Sequence, residues 1–301
     1  MIRVLVIIFV SLLPFSLNAS DEHMAKSKGI DQESILSLYP VPSQVDVPQN
    51  AVIKVQFKIP LDPSSVQKHN VKLVDLSSHH HEHIRGNIAY DKDQYLLTYT
   101  PSKLLQPGFY EVEIKSLKAA KTHKQRHIHE IKYHFYVPEV VNGYALPPEP
   151  DKKLNDSTLL GIDFNNNGIR DDVERLVIIE ESKNSEYPKT QIAISMQYAW
   201  AWQKIIDSPT LEARKYLENA SSCQWYWFAK KTKDIEGYVE SRKWRKEHIG
   251  KLGVELEDKI FNTKERTLQR FKFNEACSGQ IFSLPKDTIE NCQINIDELG
   301  E

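Results

Sequence analysis

The period of the hydrophobic pattern changes near the middle of the chain. Ile53, Val55, Phe57 and Ile59 alternate with Lys54, Gln56 and Lys58, a period of two that predicts a strand with one buried and one wet face. Pro60 closes that strand, and Leu61-Asp62-Pro63-Ser64 predicts a turn. Strand-like runs follow at 71–74, 87–90, 96–100, 110–114 and 131–137, with no amphipathic helix among them. Such spacing predicts an antiparallel sandwich. Beyond Asp171 the apolar positions recur at three and four. Val173, Leu176, Val177 and Ile179 open one predicted helix, and Ile192, Met196, Ala199, Trp202 and Ile205 line the next. Ser208-Pro209 predicts a helix start with Pro at the first helical position, leading to Leu211, Tyr216, Leu217, Trp225 and Phe228. Asn262 with Glu265 resembles a capping box, ahead of a helix bearing Leu268, Phe271 and Ala276.

Between the two regimes lies a proline-rich stretch. Pro138 follows the last predicted strand, and Pro147, Pro148 and Pro150 come before the polar Asp151-Lys152-Lys153. A helix or a central strand tolerates such prolines poorly. The expected plan is therefore multidomain: an all-β sandwich over 36–138, a linker over 139–158, and a mainly α-helical domain over 159–301. Tyr198, Trp200, Trp202, Trp225 and Trp227 are expected between helices as core, with a carbohydrate-stacking platform as the alternative.

The segment LYPVPSQVDVPQNAVIKVQFKIPLDPSSV resembles the SbsA-type bacterial Ig-like domain, in which a proline-flanked approach leads into an alternating strand that ends at an acidic-Pro turn. LTYTPSKLLQPGFYEVEI and EIKYHFYV are similar to later segments of that family, so the resemblance spans about 100 residues. It implies an Ig-like sandwich. The residues support this separately. Pro107-Gly108 can turn the chain into a strand where the Tyr110 ring packs inward and its hydroxyl reaches back to the backbone, as in a tyrosine corner.

The first twenty residues bear on compartment. Arg3 precedes an apolar run from Val4 to Leu17, and Asn18-Ala19-Ser20 precedes Asp21-Glu22-His23. That order predicts a signal peptide over 1–20, cleaved after Ala19 or Ser20, with an uncleaved anchor as the alternative. The run is shorter than the roughly 20 apolar residues of a membrane span. The expected product is exported to the periplasm or cell surface. A net charge of −2 leaves no electrostatic footprint for nucleic acid. Cys223, Cys277 and Cys292 are the only cysteines, so in an oxidising compartment two are expected to pair. Sequence does not decide which. Cys223 with Cys292 is favoured because it ties the chain end to the helical core.

The most informative residues run from Asp163 to Glu174. Counting Asp163 as one, oxygen side chains fall at one, three, five, nine and twelve: Asp163, Asn165, Asn167, Asp171 and Glu174. Gly168 stands at six, and Ile169 offers its carbonyl at seven. This is the ligand spacing of an EF-hand loop for Ca2+, a hard ion that takes six to eight oxygens. The loop also resembles thrombospondin type 3 and dockerin repeats. It departs from a paired EF-hand at position eight, where Arg170 replaces a hydrophobic residue, and in the approach 152–161, which shows no convincing entering helix. A lone structural site with affinity of about 10⁻⁴ to 10⁻³ M is expected. The competing reading is a plain turn with Asp171 and Glu174 as a capping box, which explains neither Asp163 nor the alternating oxygens.

Other motifs carry less. His79, His80, His81 and His83 form a tract that reads first as a solvated loop and second as a transition-metal site. His129-Glu130 lacks the second His of a zinc-protease helix, because residue 133 is Tyr133. No G-x-S-x-G elbow is present. Ser241–Lys246 reads as a solvated basic helix face, with membrane-surface contact as a minor alternative. The expectation is a non-enzymatic envelope protein with a structural, adhesion or binding role. A binding protein for carbohydrate or peptide, and a hydrolase with a site dispersed in sequence, remain as alternatives. A cell-envelope protein or a glycan suits the compartment as partner.

Overall fold

The computed structural model describes residues 34–78, 80–121, 127–183, 186–249, 253–283 and 285–300. The expected signal peptide and His79 of the histidine tract lie outside the described residues.

Among the described residues, eight strands form the first unit: β1 (Ile35–Tyr39), β2 (Ile53–Phe57), β3 (Val71–Asp75), β4 (Glu82–Ile84), β5 (Gly86–Asp91), β6 (Leu96–Pro101), β7 (Gly108–Ile114) and β8 (Ile131–Val137). They make two four-stranded sheets, β1-β2-β6-β5 and β4-β3-β7-β8, and each described neighbouring pair is antiparallel. Alternation sets the faces. Ile53, Val55 and Phe57 are buried while Lys54 is exposed, and Tyr110, Val112 and Ile114 of β7 point inward with them. The Tyr110 hydroxyl donates to the Gln106 carbonyl at 2.9 Å, closing the expected tyrosine corner. β8 departs from alternation, since His134 and Tyr136 are buried as well. The cause is the chain at 43–47, which runs beside this edge strand. Ser43 N donates to His134 O, Val47 N to Tyr136 O, and Tyr136 N to Gln44 O. An edge that would otherwise stay open is thereby covered.

The stretch expected as a bare linker has structure of its own. Strands β9 (Glu139–Val141) and β10 (Tyr144–Leu146) form a hairpin, and α1 (Lys152–Ser157) follows, capped by Asp151. Leu146 belongs to the helical core, with Val141 and Tyr144 packed against it. The prolines sit between elements, where they cost nothing. α1 lies within the approach that was expected to lack a convincing entering helix. It ends at Ser157, however, and does not run into the loop as an EF-hand entering helix does.

The remaining helices are α2 (Asp171–Glu181), α3 (Pro188–Asp207), α4 (Arg214–Thr232), α5 (Tyr238–His248), α6 (Gly253–Ile260) and α7 (Lys264–Cys277). Val173, Val177 and Ile178 of α2 pack with Ile192, Ala199 and Ile206 of α3 and with Leu256 and Ile260 of α6. A second cluster joins Ala193 and Ile194 to Cys223, Trp227, Phe228 and Ile296. Cys223 is disulfide-bonded to Cys292, and Cys277 is free and partly exposed. The Gln197 side chain adds bonds to Asn291 O and Gln293 N.

Three helical details differ from the sequence reading. Pro209 is not at a helix start, because a 3-10 turn at Leu211–Ala213 leads into α4. α7 is capped by Thr263, whose hydroxyl accepts from Arg266 N, while Asn262 bonds Asp156 and Arg266. Leu268 and Phe271 are exposed, at 50% and 63%, and Phe273 takes the core position instead. Of the expected core aromatics only Trp227 is fully buried. Tyr198, Trp200 and Trp202 are half-buried, and Trp225 is 45% exposed.

Candidate metal centre

The loop from Asp163 to Glu174 is held by its own side chains. Asp163 accepts from Asn167 N at 3.2 Å and from Gly168 N at 2.8 Å. Asn165 Oδ1 accepts from Asn167 N, and Asn167 Oδ1 from Ile169 N. These are Asx turns, which short polar side chains make with the backbone two residues on. Gly168 lies at φ +85°, and a Cβ there would meet Trp200 Nε1 at 3.1 Å. Only glycine adopts that conformation freely. Ile169 is buried in the helical core, which anchors the loop to α2 and α3.

The two ends of the loop meet. Asp171 is the first residue of α2, and its carboxylate accepts from Phe164 N at 3.1 and 3.2 Å. Its own N–H donates to Ile162 O at 2.8 Å. Glu174 Oε2 accepts from Asn165 Nδ2 at 3.0 Å and Asn167 Nδ2 at 2.8 Å. Asp163, Asn165, Asn167 and Glu174 are thus linked through one hydrogen-bond network. The capping-box alternative fails here. The helix N-cap is Arg170 without a side-chain cap bond, and Glu174 bonds the loop amides.

Burial shapes the electrostatics. Asp171 is fully buried and Glu174 is 4% exposed. Burial, reinforced by Glu174, Asp163 and Asp172 nearby, pushes the Asp171 carboxyl up to about 8 against the Phe164 N–H bond. Burial likewise pushes Glu174 up to about 7, opposed by the two amide donors. Basic side chains close to the loop go elsewhere. Arg170 pairs with Asp172 at 2.5 Å and donates to Ile260 O and Lys259 O, and Lys259 also reaches Asp172. Among the described residues neither Asp171 nor Glu174 has a basic partner. Nor, among those residues, do three His, Cys, Asp or Glu side chains gather as a metal-holding group by themselves. An ion here would need the two amides and a backbone carbonyl. All of these donors are oxygens, which fits a hard cation and not a thiolate- or imidazole-seeking one.

Two arginines fix the approach, Arg266, which sequence reasoning missed, and Arg170, which it noted only as a departure from the loop pattern. Arg266 of α7 is fully buried and donates to the carbonyls of Asn155, Thr158 and Leu159, and to Asp156 and Asn262. Asn155 Oδ1 accepts from Ile162 N at 2.9 Å. Gly161, at φ +73°, lies so close to Arg170 that an added Cβ would come within 2.1 Å of Cδ. The available signal was Arg170 at loop position eight, where a hydrophobic residue is usual. Nothing local to α7 singles out Arg266.

No family model matches the chain. No curated protein matches it either. Among solved structures, domains 1-6 of the surface layer protein SbsC are 16% identical with a TM-score of 0.26, over 32% of this chain and 14% of that one. CopC from Methylosinus trichosporium OB3b is 19% identical with a TM-score of 0.27, over 35% of this chain and 91% of that one. PcoC, a methionine rich copper resistance protein from Escherichia coli, is 20% identical with a TM-score of 0.28, over 35% and 96%. The chain spans 14% of the SbsC structure's length. At such TM-scores these likenesses carry no argument about the site. Among the described residues no helix is long and apolar enough to cross a membrane.

Proposed function

We propose that this chain is an exported, non-enzymatic cell-envelope protein with a structural or binding role, its helical half locked by one calcium ion in the 163–174 loop. One observation carries the calcium reading: Asp171 and Glu174 are buried together without a basic partner. Buried carboxylates are costly when ionised and unpaired. A divalent cation removes that cost. Asp163, Asn165 and Asn167 would supply one oxygen each, Ile169 its carbonyl, Asp171 a direct or water-mediated contact, and Glu174 both carboxylate oxygens. Each amide oxygen keeps a second lone pair beside its Asx-turn bond. The loop stands alone and no helix runs into its first residue, which supports a structural role over a sensor.

The test is calorimetric titration of calcium into the chelator-treated protein, beside Asp163→Ala. One site, absent from the variant, is expected. No heat and no competition by calcium for a lanthanide probe would sink the reading. Export is tested separately, by N-terminal mass analysis of the envelope fraction for a chain beginning after Ala19 or Ser20.

A further inference from the structure

A cleft of about 420 Å³ opens within the helical unit, away from the loop. Glu181 comes from α2, Ser195, Tyr198 and Trp202 from α3, and Gln224 from α4, with Glu257 of α6 opposite. Leu217 and Leu256 form apolar wall. The volume lies within the roughly 300–1,000 Å³ of small-molecule sites. Its polar groups are ordered. Ser195 Oγ donates to Glu181 Oε1 at 2.8 Å, both residues being more than nine-tenths buried. The Tyr198 hydroxyl donates to Gln224 Oε1 at 3.2 Å, which leaves the Gln224 amide nitrogen as a donor. Glu257 is held by Arg270 at 2.5 Å.

A carboxylate and hydroxyl buried at a cavity wall contribute little to packing, since apolar side chains of similar volume commonly serve stability as well or better. Their chemistry restricts what the cleft can take. Glu181 and Glu257 both line it, which disfavours an anion. Both carboxylates already have donors, so the cleft does not demand a cation. What it offers is acceptor lone pairs, the Gln224 amide donor, and two aromatic side chains. Hydroxyl groups suit the first two, and the C–H faces of a sugar ring suit the third. We infer that the cleft binds a neutral saccharide of one or two rings.

The experiment uses the intact calcium-saturated protein, repeated in chelator so that failure of the loop reading and failure of this one are told apart. The probes are glucose, N-acetylglucosamine, its β-1,4-linked dimer and maltose, with glucuronate and butylamine as charged controls. Saturation-transfer NMR and tryptophan fluorescence read binding. Saturable binding of at least one neutral sugar is expected, weakened at least tenfold by Gln224→Leu and abolished by Leu217→Trp, which fills the cleft from its apolar wall. Circular dichroism melts confirm that each variant is folded, and Leu217→Trp decides alone if Gln224→Leu is not. No sugar binding, a preference for either charged control, or sugar binding unchanged in a folded variant overturns the proposal.

Discussion

Removing calcium at two pH values tests the proposed site most directly, because the expected affinity sets the size of the effect and the buried carboxylates set its sign with pH. A ligand that binds only the folded state stabilises it by RT ln(1 + [L]/Kd). With Kd of about 10⁻⁴ to 10⁻³ M, 10 mM calcium should contribute about 1.4–2.7 kcal/mol. For a cooperative unit of this size that is roughly 3–10 °C in melting temperature. The pH dependence follows from Asp171 and Glu174, whose folded values of about 8 and about 7 lie above the ordinary carboxylate range. Between about pH 4 and those values the folded state without calcium holds more protons than the unfolded chain, so its stability falls as pH rises, by at most about 1.4 kcal/mol per pH unit for each group. Calcium must displace those protons. Its stabilisation should therefore be large at pH 8 and small at pH 5.5. The assay is a set of calorimetric melts of wild type and Glu174→Gln, in calcium and in chelator, at both pH values. Equal wild-type melts with and without calcium at pH 8, or a calcium effect larger at pH 5.5 than at pH 8, would refute the reasoning.

Three further outcomes are expected. Arg266→Met should lower helical-unit stability by about 2–4 kcal/mol in denaturant melts, because it strands the carbonyls of Asn155, Thr158 and Leu159 and leaves Asp156 with Lys152 and Asn262 alone; a loss under 1 kcal/mol would show the clamp is dispensable. Cys292→Ser opens a crosslink spanning 69 positions and should cost about 4 kcal/mol on the chain-entropy account, lowering the helical transition and sparing the sandwich; a melt insensitive to both the substitution and reductant would count against it. Tyr110→Phe removes the bond to Gln106 O and should cost the sandwich about 1 kcal/mol by urea unfolding, whereas an unchanged midpoint would make the hydroxyl incidental.

The division between what was legible in sequence and what was not follows the range of the interactions involved. Alternation at Ile53, Val55 and Phe57, and the turn before Tyr110, specify strands because neighbouring side chains point to opposite faces whatever the rest of the chain does. The 163–174 loop is equally local, with its Asx turns and its glycine at φ +85° encoded within a dozen residues. Sequence spacing could place the oxygens of Asp163, Asn165, Asn167 and Glu174 along one turn, but it could not say that Asp171 and Glu174 would be buried. That depends on how α2 packs against α3 and α6. Helix faces were read less well than strand faces. Phe273, not Phe271, enters the core because the orientation of α7 is set by Arg266 reaching carbonyls more than a hundred residues earlier. The 139–146 hairpin was read as linker because the prolines flanking it, Pro138, Pro147, Pro148 and Pro150, speak against a helix or a central strand there, while its burial comes from the helical core beside it. Local backbone chemistry is written in adjacent residues; burial, and every charge effect that follows from it, exists only once distant segments have packed together.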